Sequence, residues 1–422
     1  MSIPSRKSGM SRRTLLKAGA AISMLPASRV FAQSPEPLKI GFLTVLTGPL
    51  AAGGKQQEEG AALFLKERNG MIGGRKVELI TQDTGGNPAL AKTKLQELVE
   101  RHKVTVSIGP LATNEAIAMD NYVRDTKVPL ITTTSAATVD LKSHAVNPWV
   151  LHAFGTAPQV TYPLGDYAAK TLGYKKIAIV AEDFTYGHEG AGGFQLGFEG
   201  AGGKIVQKLW PPLNAPDYGS YIAQIKSNVD CLFIGFAGSN GFKFLKQYRE
   251  YGGKLPILGG MTAIDESLLQ QMGDDGLGCY STCFYSAQID TPTNKKFVDG
   301  MQRDYKVDPG MYASSTYTNG AVLEAALKTI DARIEDKHAL IKALRENKVE
   351  DTARGPVRFD KYGNVIGNVY IRRVEKKGGR YVNAVAKIYP DVSQFWTYGP
   401  EEFLTHPVYN RETWPGSKNI EP

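Results

Sequence analysis

The sequence predicts an α/β protein made of two doubly wound parallel-sheet lobes with a cleft between them. Three observations predict it. Short β-rich runs alternate with longer helical patterns from Leu38 to Phe284. Repeated β-α-β units of this kind, joined by right-handed crossovers, give parallel sheets covered by helices on both faces. The rhythm runs through four strands, breaks, and resumes after residue 160, and the 422-residue chain exceeds one ordinary core.

The first strand is Leu38–Leu43, followed by a Gly-rich loop, Thr47 to Gly54. A helix follows over Gln56–Asn69, with Ala61, Ala62, Leu63 and Leu65 apolar against charge at Glu58, Glu59, Lys66 and Glu67. Gly70–Gly74 turns into a second strand, Val77–Ile80, and Asn87-Pro88 opens a helix over Ala89–Arg101, with Pro88 suited to the first helical position. Strand Val104–Ile108, helix Asn114–Arg124 and strand Pro129–Ile131 complete this half. The second half reads as helix Tyr162–Leu172, strand Lys176–Val180, a helix near Gly190–Gly200 and strand Lys204–Val206. Helix Tyr218–Ser227, strand Cys231–Gly235, helix Phe242–Tyr251 and strands Leu255–Leu258 and Gly278–Phe284 follow. Helices Asn294–Tyr305, Ser314–Ile330 and Lys337–Glu346 lead to a hairpin, Val357–Phe359 to Gly367–Val374, turning on Asp360–Gly363. Loops at the C-terminal ends of such strands face the cleft.

Ahead of these elements, Ser11-Arg12-Arg13-Thr14-Leu15-Leu16-Lys17 precedes a mildly apolar run that ends at Val30-Phe31-Ala32. This is the pattern of a twin-arginine export signal with a small-residue cleavage site, spanning residues 1–32, and it predicts a periplasmic protein. Six basic residues (Arg6, Lys7, Arg12, Arg13, Lys17 and Arg29) lie in it, so the whole-chain balance of 50 basic to 42 acidic residues falls to 44 against 42. The basicity therefore makes no case for a nucleic-acid or anionic-membrane partner. No later apolar run is long enough to span a bilayer, and a soluble mature protein is expected. Three cysteines remain, Cys231, Cys279 and Cys283. On one strand, Cys279 and Cys283 would lie roughly 13 Å apart, too far for a disulfide. No histidine spacing completes a zinc site, and neither a metal nor a cofactor is expected.

Four segments carry candidate chemistry. Ala237-Gly238-Ser239-Asn240-Gly241 sits where a hydrolase nucleophile would. Its bases could only be His338, on a charged helix, or His406, near the C-terminus, and neither context orients a base. The loop Thr47–Gly54 lacks phosphate-binding spacing but can offer backbone N–H groups to a small carboxylate. Gly109–Glu115 and Ile131–Thr138 are hydroxyl-rich loops at the ends of neighbouring strands, suited to hold a carboxylate without a full countercharge. Ala181-Glu182-Asp183-Phe184-Thr185-Tyr186-Gly187 places aromatics at a strand end of the second half.

An ordered set of short motifs runs through the chain: Ile40–Leu43 with Thr47-Gly48-Pro49-Leu50-Ala51, Asn69-Gly70 with Gly73–Leu79, Asp83 with Asn87-Pro88, Ile108-Gly109-Pro110, Val128–Ile131, Glu182-Asp183 with Tyr186-Gly187, and Asp217-Tyr218. In this the chain resembles the periplasmic leucine/isoleucine/valine-binding type of ABC-transporter receptor over nearly the whole mature sequence. The resemblance implies a type I binding-protein fold with a three-segment hinge, a monomer, and an ABC permease as partner. The lobes it implies are residues 38–157 with 287–366, and 158–286 with 367–398, leaving 399–422 as a C-terminal surface strap.

The resemblance also implies ligand contacts. From the first lobe these are Ala112, Thr113, Thr134, Ser135 and Ala136, and from the second lobe Tyr186, Phe236 and Ala237. Three positions depart from the amino-acid-binding pattern. Met261 stands where relatives place a Glu for the ligand ammonium, Ala136 where they place a Thr, and Gly53 where they place an aromatic. An unpaired buried ammonium costs several kcal/mol, so the departures predict a small carboxylate ligand without an α-amine. Gly53 and Met261 leave apolar room for an aromatic or larger aliphatic acid. His152, where many relatives carry Arg, is expected in a structural hydrogen bond. The alternatives are a receptor for branched-chain or related amino acids, an exported sensory binding protein, and a hydrolase using Ser239.

Overall fold

The computed structural model describes residues 1–2, 36–134, 146–412, 414–416 and 418–420. The export segment, and Ser135, Ala136 and Thr138 of the second hydroxyl loop, lie outside the described residues. From Pro37 onward the chain forms one compact unit.

Strand β1 (Leu38–Thr44) leads to helix α1 (Ala51–Lys66). The helix starts earlier than its apolar stripe indicates, because Ala51–Gly54 carry no stripe to read. β2 (Met71–Ile72), β3 (Arg75–Asp83) and α2 (Pro88–Glu100) follow, with the Asn87 side chain accepting from the Ala89 and Leu90 N–H groups. β4 (Val106–Ile108), α3 (Thr113–Thr126), β5 (Leu130–Ile131) and β6 (Val150–Leu151) close the first sheet. Its order is β2-β3-β1-β4-β5-β6, parallel except for the β2–β3 pair.

The second sheet opens after helix α4 (Ala157–Lys170), whose Thr156 and Gln159 form a reciprocal capping box. β7 (Lys176–Ala181), α5 (Thr185–Gly200), β8 (Lys204–Leu209), β9 (Cys231–Gly235), α6 (Asn240–Glu250), β10 (Ile257–Gly259) and β11 (Tyr280–Cys283) follow. The helix expected over Tyr218–Ser227 is a single turn, Gly219–Ile222. Strands β8-β7-β9-β10-β11 are parallel, and all but the edge strand β8 are nearly fully buried.

Helices α7 (Pro292–Tyr305), α8 (Met311–Thr329) and α9 (Lys337–Arg345) return to the first sheet, with α8 packed along α1. The chain then enters β12 (Lys348–Val349), β13 (Val357–Phe359), β14 (Val365–Lys377) and β15 (Arg380–Val392). β12 and β13 lie in the stretch 287–366, and Val357 packs in the core that holds the first sheet. Both strands extend the edge of the second sheet through antiparallel pairing with β14, a long-range choice that local pattern does not encode. The hairpin turn at Asp360–Gly363 lies beside β6, where Asn364 bridges His152. β15 was not anticipated; it pairs with β14, and β14 with β11.

Cys231, Cys279 and Cys283 are buried and free of disulfides. After β15 the chain crosses the second lobe, burying Phe395, Phe403 and Tyr409 against Tyr162 of α4. No described helix is long and apolar enough to cross a membrane.

Candidate ligand-binding site

Both parallel sheets have a strand order that reverses beside their first strand: β3-β1-β4 in one and β8-β7-β9 in the other. Open α/β sheets leave a crevice beyond the carboxyl ends of the strands at such a reversal. Here the two crevices share one cavity of about 400 Å³, its solvent mouth included.

The first half lines the cavity from four strand ends. Leu50 comes from the loop after β1, Leu111, Ala112 and Thr113 from that after β4, Thr133 and Thr134 from that after β5, and Phe154 from that after β6. Ala112 caps α3 and Thr113 begins it, so the helix N-terminus and its partial positive charge face the cavity. The buried Glu115 carboxylate accepts the Ala112 N–H at 3.1 Å and holds this turn in place. Thr113 and Thr134 meet with Oγ1 atoms 3.2 Å apart, and the Thr133 hydroxyl donates to the Pro110 carbonyl at 2.7 Å.

The second half supplies Phe184 and Tyr186 after β7, Ala237 after β9, and Met261 and Thr262 after β10. The Thr262 hydroxyl donates to the Phe236 carbonyl at 2.5 Å and accepts from the Tyr186 hydroxyl at 2.8 Å. Behind Ala237, buried Glu182 accepts the Ala237 N–H at 2.8 Å and the Asn240 amide at 2.5 Å. Burial raises this carboxyl to about 8, and the bonds from Asn240 and Ala237 oppose the rise.

A buried pair seats the loop that carries Met261. Arg372 on β14 binds both Glu266 oxygens at 3.0 Å and the Ile264 carbonyl at 3.2 Å. Asp265, next to it, reaches the first half and accepts the Met311 N–H of α8 at 3.0 Å. That contact fixes Met311 and Tyr312, the last two lining residues. A carboxylate at a helix N-terminus is favourable to both partners. Gly310 is required here, because a Cβ would fall 2.0 Å from the Asp265 carboxylate.

Of the residues singled out in the sequence, Ala112, Thr113, Thr134, Tyr186, Ala237 and Met261 come together around the cavity. Ser135 and Ala136 lie outside the described residues. Two residues are displaced from the lining. Phe236 points into the second-lobe core, stacked on Phe244 and edge-on to Tyr218, because strand alternation sends it to the face opposite Ala237. Gly53 lies in the first turn of α1 beneath the Tyr312 ring, which occupies the room that Gly53 leaves. His152 follows β6 and bridges Asn364, its backbone N–H donating to the Gly363 carbonyl. Sequence reading missed Phe154, Thr262, Met311 and Tyr312. For the last two a Gly helix cap at residue 310 was the available signal.

No lining residue among those described carries a charge. Among the described residues no cluster of three His, Cys, Asp or Glu side chains could hold a metal ion. Ser239 caps α6, while His338 packs on Trp149 and His406 on Trp414.

Residues 37–380 match the periplasmic binding protein family. Leu/Ile/Val-binding protein homolog 6 of Brucella abortus is 27% identical over 373 residues, 86% of this chain and 93% of that protein. A solute-binding protein of an ABC transporter from Rhodopseudomonas palustris BisB5, solved in complex with 3,4-dihydroxybenzoic acid, superposes with a TM-score of 0.79 at 29% identity, covering 85% of this chain and 98% of that one. A second R. palustris solute-binding protein, solved with 4-hydroxybenzoate, gives 0.78 at 27% identity over 85% and 99% of the two chains.

Proposed function

The chain belongs to the periplasmic binding protein family, and on that premise we propose that it is the receptor of an ABC importer for a small aromatic carboxylate without an α-amine. One observation carries this reading: the cavity brings Thr113, Thr133 and Thr134 together at a helix N-terminus, and no described lining residue is charged. Hydroxyls and a helix N-terminus suit a carboxylate. An ammonium would need an acidic partner, and Met261 occupies the place implied for one. Burying that charge unpaired costs about 3–5 kcal/mol.

The rest of the ligand meets Leu50, Leu111, Phe154, Phe184, Tyr186 and Met311, an aromatic and aliphatic slot that favours a flat apolar body. The two R. palustris proteins solved with hydroxybenzoates support the same class. In the cell, the segment Ser11–Lys17 exports the chain to the periplasm, the lobes close on the ligand by hinge motion, and a monomer presents the closed form to a permease. The receptor binds without turnover.

A thermal-shift screen of the protein against aromatic acids, aliphatic acids, amides and amino acids tests this. The expected result is a rise in melting temperature with benzoate-type acids, growing with ligand concentration. Stabilisation by leucine or valine, with none by non-amino carboxylates, would sink it.

A further inference from the structure

Two phenols line the cavity, and they are not equivalent. The Tyr186 hydroxyl is committed: its proton goes to Thr262 Oγ1 at 2.8 Å, since that oxygen spends its own proton on the Phe236 carbonyl, and it accepts the Thr262 N–H at 3.3 Å. Tyr186 is therefore a fixed wall. The Tyr312 side chain is only 7% exposed and lines the same cavity, yet its hydroxyl has no hydrogen-bond partner among the described residues. The hydroxyl oxygen is open to the cavity rather than sealed in the core, so a ligand group that bonds it is selected over one that displaces its solvent without replacing the bond.

The position of Tyr312 is set by two contacts. Asp265 holds the preceding N–H of α8 at 3.0 Å. Gly53 leaves room for the ring, since a Cβ at 53 would lie 2.9 Å from Tyr312 Cε2 and 3.1 Å from Cδ2 and Cζ. Burial keeps this phenol protonated, so it can donate as well as accept.

We propose that the Tyr312 hydroxyl reads a hydrogen-bonding substituent on the ligand ring, making the preferred ligands hydroxylated aromatic acids, and that Gly53 sets this preference by seating Tyr312. The inference rests on the aromatic-carboxylate reading and refines it. Calorimetric titration of the protein with benzoate, 3-hydroxybenzoate and 4-hydroxybenzoate tests both. At least one hydroxybenzoate is expected to bind about tenfold or more tightly than benzoate. Tyr312→Phe should collapse that ratio to within about twofold at an unchanged ligand-free melting temperature. Gly53→Ala should reduce the ratio while keeping the hydroxyl, which separates seating of the ring from its chemistry.

A ratio near one in the wild type, or a ratio that survives Tyr312→Phe, overturns the role of Tyr312 and leaves the aromatic-carboxylate reading standing. If none of the three acids binds and leucine does, the aromatic-carboxylate reading fails and takes this assignment with it.

Discussion

Thr113 Oγ1 on the first turn of α3 lies 3.2 Å from Thr134 Oγ1 on the loop after β5. Both side chains are buried, and each belongs to a different strand end of one sheet. This contact joins two hydroxyl-rich loops into a single cradle at a helix N-terminus. The order of β4 and β5 in the sheet makes the two strand ends adjacent, so the cradle follows from topology.

Removing one of these hydroxyls should weaken ligand binding more than it weakens the fold. Hydrogen bonds to a charged group contribute about 1.5–3 kcal/mol. Thr134→Val is therefore expected to lower carboxylate affinity by about tenfold to a hundredfold. Calorimetric titration with the acid that binds best checks this, alongside the ligand-free melting temperature, which should move little.

Met261→Glu places a carboxylate in a cavity that has no charge among its described lining residues. Repulsion between that group and an anionic ligand, both in a dry site, should reduce affinity for aromatic acids by at least about a hundredfold. Met261→Gln, similar in size and neutral, should lose far less. Equal losses in the two variants would mean that Met261 acts through shape alone.

Glu182 makes stability depend on pH. Burial lifts its carboxyl from 4.5 to about 8, so between these values the folded state keeps a proton that the unfolded chain has released. Its contribution is full below about pH 4.5 and is lost as pH rises through about 8, with a slope of up to about 1.4 kcal/mol per pH unit. Glu182→Gln should flatten that part of the profile. Urea denaturation at several pH values in this window checks it, and parallel profiles for the two proteins would contradict it.

The C-terminal crossing contributes to stability. The hydroxyls of Tyr409 and Tyr162 are hydrogen-bonded, and the Tyr409 ring fills the space over Gly192 of α5. Tyr409→Ala is expected to cost about 3–5 kcal/mol, as for other buried aromatics. Chemical denaturation measures the loss, and aromatic-acid affinity under native conditions should be retained.

The two parallel sheets were legible because buried parallel strands leave short apolar runs between helices with clear stripes, as at Ile177–Val180 and Leu232–Ile234. The loops that line the cavity were legible for the same reason, since each follows a readable strand. Less visible was anything fixed by long-range contact. β12 and β13 join the second sheet only because β14 is there to pair with, and β15 is diluted by exposed residues such as Lys387 and Ile388. Phe236 and Ala237 are neighbours in sequence, yet they face opposite sides of the β9 end. Tyr312 reaches the cavity from the N-terminus of α8, a helix distant in sequence that packs along α1, so only the Gly53–Tyr312 contact reveals what the small residue at 53 accommodates.

The measurement that bears most directly on the absence of an ammonium site is a calorimetric comparison of 4-hydroxyphenylacetate with 4-hydroxyphenylglycine, which differ only by the α-ammonium. With no acidic side chain among the described lining residues, the acid should bind at least about a hundredfold more tightly than the amino acid. Equal or tighter binding of the amino acid would contradict the account.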